Sequence, residues 1–294
     1  MDSDKIIITG IGELLWDILP EGKQLGGAPV NFAYHVSQLG FDAVAVSALG
    51  TDALGDEIDE LLKEKKVKAL ISRVQYPTGT VQVELDANGV PTYEIKKDVA
   101  WDNIPWSNEL REIARQTKAV CFGTLAQRDQ ISRESINLFL DTMPGTNTYK
   151  IFDINLRQDF YNRETIENSL TKSNVLKLND DELIALLKVF GYSLHDTETD
   201  CRRIMKDFDL EILILTCGIN GSYVFSADET SFLETPKVKV ADTVGAGDAF
   251  TAAFCASILS GTSIDEAHKK AVEVSAFVCT QNGAMPHLSN KVST

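Results

Sequence analysis

Six short apolar runs, separated by stretches with helical spacing, constrain this chain more than any other feature. They are Lys5–Gly12, Asp42–Leu49, Ala119–Phe122, Lys150–Ile154, Val175–Leu178 and Ile212–Thr216. A strand that is apolar throughout must be covered on both faces, and helices between successive strands make the sheet parallel. Helical patterns fall over Ala28–Leu39, Asp56–Lys66, Arg133–Met143, Arg163–Lys172, Asp181–Phe190, Thr197–Asp207 and Ile264–Thr280. An antiparallel pair, Gly221–Phe225 with Ser231–Glu234, closes the sheet. The expectation is an α/β fold: one doubly wound, mostly parallel sheet with helices on both faces, forming a single domain over 1–294. Ligands of such a sheet lie at the carboxyl ends of its strands.

The segment Leu70–Ile95 departs from this pattern. Val81, Val83 and Leu85 alternate with polar residues, and Asn88-Gly89 is a hairpin turn ahead of Pro91–Ile95. Alternation means one wet face, so a small antiparallel β lid is expected outside the main sheet, from about residue 70 to 98.

Charge and composition exclude several classes of function. The net charge is −15, which argues against nucleic acid and anionic membranes but not against one phosphate bound locally. The five cysteines are odd in number and widely spaced, so they read as buried thiols and not as a disulfide framework. The acidic start runs directly into a strand and no apolar run approaches the length of a membrane span. A cytoplasmic soluble protein is expected.

The stretch Ala241–Phe250, ADTVGAGDAF, carries the chemistry. A strand-like segment, Val238–Val240, leads into Gly245-Ala246-Gly247 and then a helix. Glycines let the backbone come close to a ligand, and the first amides of a helix point outward beside its positive end. That is an anion site, with Asp248 inside the first turn. Amides that neutralise a moving phosphoryl group, beside a carboxylate that takes an alcohol proton, suit phosphoryl transfer. The bland alternative is an ordinary loop with a first-turn acid.

Other polar groups follow the strands. Asp17 could bond sugar hydroxyls or merely face solvent. Gly26-Gly27 with Asn31 one turn into a helix suits an uncharged polyol, or a simple helix start. Arg157 could reach a phosphate. Asn179 and Glu182 form a helix capping box, and the same pair could face a magnesium–nucleotide, Glu182 through water. Thr216 could donate to a phosphate. His35, His195, His268 and His287 have no metal-ligand spacing.

Taken together, these motifs resemble the PfkB-type, ribokinase-like sugar kinases over essentially the whole chain. DTVGAGDAF is similar to that family's second signature and Gly26-Gly27-Ala28-Pro29-Val30-Asn31 to its first. NDDE resembles its Asn-x-x-Glu motif, TCGINGS its nucleotide loop and TQNGA its adenine-side loop. Ala28-Pro29 after the glycine pair, with DINLRQDFY, is most similar to fructokinases. The resemblance implies Asp248 as catalytic base, Gly245, Ala246 and Gly247 as the anion hole, and Arg157 neutralising charge. It implies Asp17, Gly26, Gly27, Asn31 and Trp101 against the sugar, and Asn179, Glu182, Thr216, Gly218, Gly221 and Asn282 against ATP. Mg2+ would enter with ATP through Glu182. Asp242 matches the family's monovalent-cation site, for K+, while His287 stands where a hydroxyl ligand is often found. The resulting expectation is ATP-dependent phosphorylation of a small neutral sugar, fructose first, with a homodimer through the lid left open. A kinase for 2-keto-3-deoxygluconate is the alternative in the same class, and a silent sugar-binding regulator the alternative from another.

Overall fold

Strands buried on both faces form at all six apolar runs, and the elements between them decide where a ligand can sit. The computed structural model describes residues 6–19, 22–85, 91–289 and 292. In chain order they build β1 (Ile7–Ile11), β2 (Leu15–Leu19), β3 (Gly22–Gly26), α1 (Ala28–Gln38), β4 (Asp42–Gly50) and α2 (Ala53–Glu64). Next come β5 (Ala69–Val74), β6 (Gly79–Leu85), β7 (Pro91–Ile95), α3 (Asn108–Gln116), β8 (Thr117–Phe122) and α4 (Gln130–Thr142). Then follow β9 (Tyr149–Asp153), α5 (Arg163–Lys172), β10 (Val175–Asn179), α6 (Asp180–Phe190) and α7 (Thr197–Phe208). The chain finishes with β11 (Ile212–Thr216), β12 (Ser222–Phe225), β13 (Thr230–Leu233), α8 (Ala246–Leu259) and α9 (Ile264–Cys279).

The large sheet runs β13-β12-β11-β10-β9-β8-β1-β4-β5. It is parallel except at β12 and β13, which pair antiparallel as expected. Successive residues of each strand serve opposite faces. Val120, Phe152, Leu176 and Leu213 pack under α3–α7, while Cys121, Ile151, Val175 and Ile214 pack under α1, α2, α8 and α9. The order reverses between β1 and β8, so this sheet opens its ligand crevice at the carboxyl ends of those strands and of β9 and β10.

The smaller sheet differs from the expected lid in its membership. Leu70–Val74 lies in the large sheet, where β5 pairs with β4 in parallel register. The smaller sheet, β3-β2-β6-β7, draws its other hairpin from β2 and β3. Two antiparallel pairs, β2–β3 and β6–β7, join through a parallel β2–β6 contact. β1 and β2 are therefore not one continued strand: Gly12–Leu14 separates them and sends β2 out of the main sheet. The Asn88-Gly89 turn lies outside the described residues. Val238–Val240 forms no strand; it is an exposed segment without regular structure.

Candidate active site

Two helices that meet at the crevice, α1 and α8, begin on a glycine. Among the described residues the other α-helices are capped by the side chains of Asp52, Ser107, Asp129, Asn162, Asn179, Asp196 and Ser263. α1 starts at Gly27 and α8 at Gly245, with no side-chain cap on either. A capping side chain satisfies one of the orphan amides at a helix start. Leaving it out at α8 keeps those amides, and the positive end of the dipole, for an anion. Gly245 is required here twice over. Its φ is +76°, and a Cβ would stand 2.7 Å from Ala284. Ala246 and Gly247 already belong to the first helical turn. A Cβ on Gly247 would meet the Lys177 ammonium at 3.2 Å, so a buried cation lies against the anion end of the helix.

Asp248 projects from that turn toward α1, whose Asn31 donates to its carboxylate at 2.8 Å. Burial raises the Asp248 pKa to about 7 and the charge of Asp153 adds to this; the Asn31 hydrogen bond and Lys177 oppose it. A carboxylate poised near neutrality is matched to accepting a proton and releasing it again. Asp153, at the end of β9, pairs with Lys177 on β10 at 3.1 Å, and Thr251 of α8 donates to its other oxygen at 3.4 Å. Burial alone would lower the Lys177 pKa, but Asp153, Glu182 and Asp248 outweigh it and hold the ammonium charged.

The other side of the crevice is rich in acceptors. Asp17 stands on β2 of the smaller sheet, where burial lifts its pKa to about 6 against the pull of Arg157. A Cβ on Gly26 would touch its carboxylate at 2.5 Å. Glu13, between β1 and β2, is buried; its pKa is raised by burial and held back by its own backbone amide and then by Arg157. Glu13 Oε2 and Asn31 Oδ1 are both buried without a hydrogen-bond partner among the described residues. Unsatisfied buried acceptors are costly, and hydroxyl donors are what would satisfy them.

Asn179, Glu182, Thr216, Gly218 and Gly221 gather where β10 and β11 end, Asn179 lying opposite Thr216 in register. Asn179 and Glu182 do form the capping box. Glu182 also accepts the Leu156 amide at 3.0 Å and the Asn179 amide at 2.9 Å, one on each oxygen. Each oxygen keeps a lone pair, so both can still accept from water or face a cation. Asp242 accepts the amides of Val244 and Gly283, both at 3.0 Å, and so braces the 242–245 loop against the turn after α9. His287 bonds Gln38 at 2.6 Å, at the end of α1. Among the described residues no group of three or more His, Cys, Asp or Glu is placed to hold a metal ion.

Trp101, Arg157 and Asn282 have surroundings of three different kinds. Trp101 is fully buried, with Arg128 stacked 4.0 Å over its ring and the missing Cβ of Gly79 making room for it; its Nε1 has no hydrogen-bond partner among the described residues. Arg157 is exposed, and its charge acts on Asp17 and Glu13, which puts it on the acceptor-rich side. Asn282 lines a groove of about 410 Å3 together with Trp16, Lys23 and Lys65 of the smaller sheet and α2. Glu13, Asp153 and Lys177 were missed from the sequence. Of these only Lys177 stands as a lone charge inside an apolar strand run, and that is the signal that marks it.

Residues 21–291 match the family model described as pfkB family carbohydrate kinase. The chain is 28% identical to a fructokinase of Salmonella typhimurium, over 95% of this chain and 94% of that protein. It is 26% identical to an ATP-dependent 6-phosphofructokinase of Thermoanaerobacterium thermosaccharolyticum, over 98% and 92%. The solved structure of a sugar kinase from Pyrococcus horikoshii in complex with ATP superposes with a TM-score of 0.76 at 26% identity, covering 95% of this chain and 94% of that one.

Proposed function

The chain belongs to the pfkB family of carbohydrate kinases, and on that premise we propose that it phosphorylates the 6-hydroxyl of fructose with ATP. It is a phosphotransferase with an alcohol acceptor, so the open questions are the sugar and the residues. The observation that carries the reading is the Asn31–Asp248 hydrogen bond beside the uncapped start of α8. Asn31 orients the carboxylate, and Asp248 takes the proton of the attacking primary hydroxyl. The Gly245–Gly247 backbone, with Lys177 behind it, stabilises charge on the transferring phosphoryl group. Asn179, Thr216, Gly218 and Gly221 position the nucleotide. Magnesium bound with it, through Glu182 and water, would supply further neutralisation of phosphate charge.

Fructose is favoured because the sugar side offers Asp17, Glu13 and Asn31, two of them with unfilled acceptor atoms. Hydroxyls can donate to all three. A carboxylate or phosphate on the sugar would face two acids and a single arginine, Arg157. Two like charges at contact cost about 4 kcal/mol at an effective dielectric of about 20. Initial rates of ADP release with fructose, 2-keto-3-deoxygluconate, fructose 6-phosphate and ribose test this. Fructose should lead by at least about 10-fold in kcat/KM, roughly 1.4 kcal/mol. A lead for either anionic sugar would mean that Arg157 outweighs the acids.

In this reading the smaller sheet is a lid, since it carries Asp17 over the sugar and would exclude water on closing. Fructose should slow hydrogen exchange in Gly22–Gly26 and Gly79–Thr80. Equal exchange with and without the sugar would make the sheet a static wall.

A further inference from the structure

α1 touches the catalytic unit at two points on one face, four residues apart. The first is Asn31, bonded to Asp248. The second is His35, fully buried, whose Nε2 lies 2.8 Å from the backbone carbonyl of Ala284. A carbonyl can only accept, so Nε2 carries the proton and Nδ1, which has no partner among the described residues, is the bare nitrogen. Ala284 is the residue packed against Gly245. Its neighbour Gly283 donates to Asp242, the brace of the same loop. The turn at 283–284 therefore supports the start of α8 from behind, and His35 ties that turn to α1.

We propose that His35 is a positioning residue for the anion hole: its hydrogen bond to Ala284 holds the 283–284 turn against Gly245 and fixes the amides of Gly245–Gly247. The proposal rests on reading those amides as the phosphoryl cradle. It makes α1 the part that aligns base and cradle together, one through Asn31 and the other through His35. Burial lowers the His35 pKa to about 4, with the Ala284 carbonyl opposing, so the imidazole stays neutral and its tautomer constant near neutral pH.

Two variants separate positioning from packing. The amide nitrogen of glutamine reaches the place of Nε2, whereas that of asparagine falls at the place of Nδ1. His35→Asn should lower kcat with fructose by about 10-fold or more, leave the fructose KM within about 2-fold, and speed hydrogen exchange in peptides covering 243–250. His35→Gln should restore both. A folded His35→Asn with wild-type kcat and wild-type exchange in 243–250 overturns the proposal. So does exchange that rises equally throughout the chain, or a His35→Gln no better than Asn. The exchange arm needs no turnover: wild type inactive on every sugar would sink the kinase-substrate reading, while exchange in 243–250 would still judge His35.

Discussion

Asp248→Asn should lower turnover with fructose by about 10²–10⁴-fold, the usual worth of a general base, and should make the protein more stable at pH 8. The first effect follows from chemistry, since an amide keeps the shape and still accepts from Asn31 but cannot take a proton. The second follows from burial. The Asp248 pKa stands at about 7 in the fold against 3.8 for a free aspartate. A carboxyl with a raised native pKa binds its proton more tightly when folded, so its contribution to stability falls as pH rises from about 4 to 7. Above pH 7 the ionised side chain costs on the order of 2–4 kcal/mol, at 1.36 kcal/mol per pKa unit with allowance for its partial exposure. Asparagine carries no such penalty. The gain in stability should therefore be largest at pH 8 and fade toward pH 4. Urea unfolding at the two pH values, alongside kcat, checks both halves. A folded variant with near-normal turnover would remove Asp248 from the chemistry, and a variant no more stable at pH 8 would remove the buried charge.

Gly245→Ala should cost activity through the backbone alone. The left-handed conformation at this position costs an L-residue about 1–2 kcal/mol, and the new Cβ would lie 2.7 Å from Ala284. One of the two must move, and moving either displaces the first amides of α8. Misplacement by about 1 Å can cost roughly 100-fold in rate, so kcat/KM should fall by at least about 100-fold while stability falls by about 2–3 kcal/mol. Gly261→Ala is the control: its φ is +80° but nothing lies within 4 Å of the added atom. That variant should lose about 1 kcal/mol of stability and keep its turnover. Equal activity loss in both would mean that general destabilisation, not the cradle, explains the first.

Much of this architecture is legible in the sequence because burial on both faces writes itself as an apolar run. β1, β4 and β8–β11 were found that way. β3 was not, since Gly22–Gly26 is largely exposed and offers no apolar signal. β5 was misplaced for a related reason: at the edge of the sheet its faces are only partly covered, and it reads like the lid strands that follow. α3 buries only Leu110 and Ala114, too narrow a stripe to stand out against its charges. At the candidate site Gly245 was legible because its left-handed backbone calls for glycine. Asp153, Lys177 and Glu13 owe their importance to neighbours far away in the chain, which spacing cannot show. Trp101 gives no local sign of its complete burial, since nothing in its sequence neighbourhood separates a core indole from one facing a ligand.

The central claim is that ATP phosphorylates fructose at its primary hydroxyl here, and identifying the product tests it most directly. Incubation with fructose and magnesium–ATP, followed by phosphorus and carbon magnetic resonance, should give fructose 6-phosphate and ADP in equal amounts. A phosphate at another position, or ATP consumed only when a phosphorylated or carboxylated sugar replaces fructose, would contradict it.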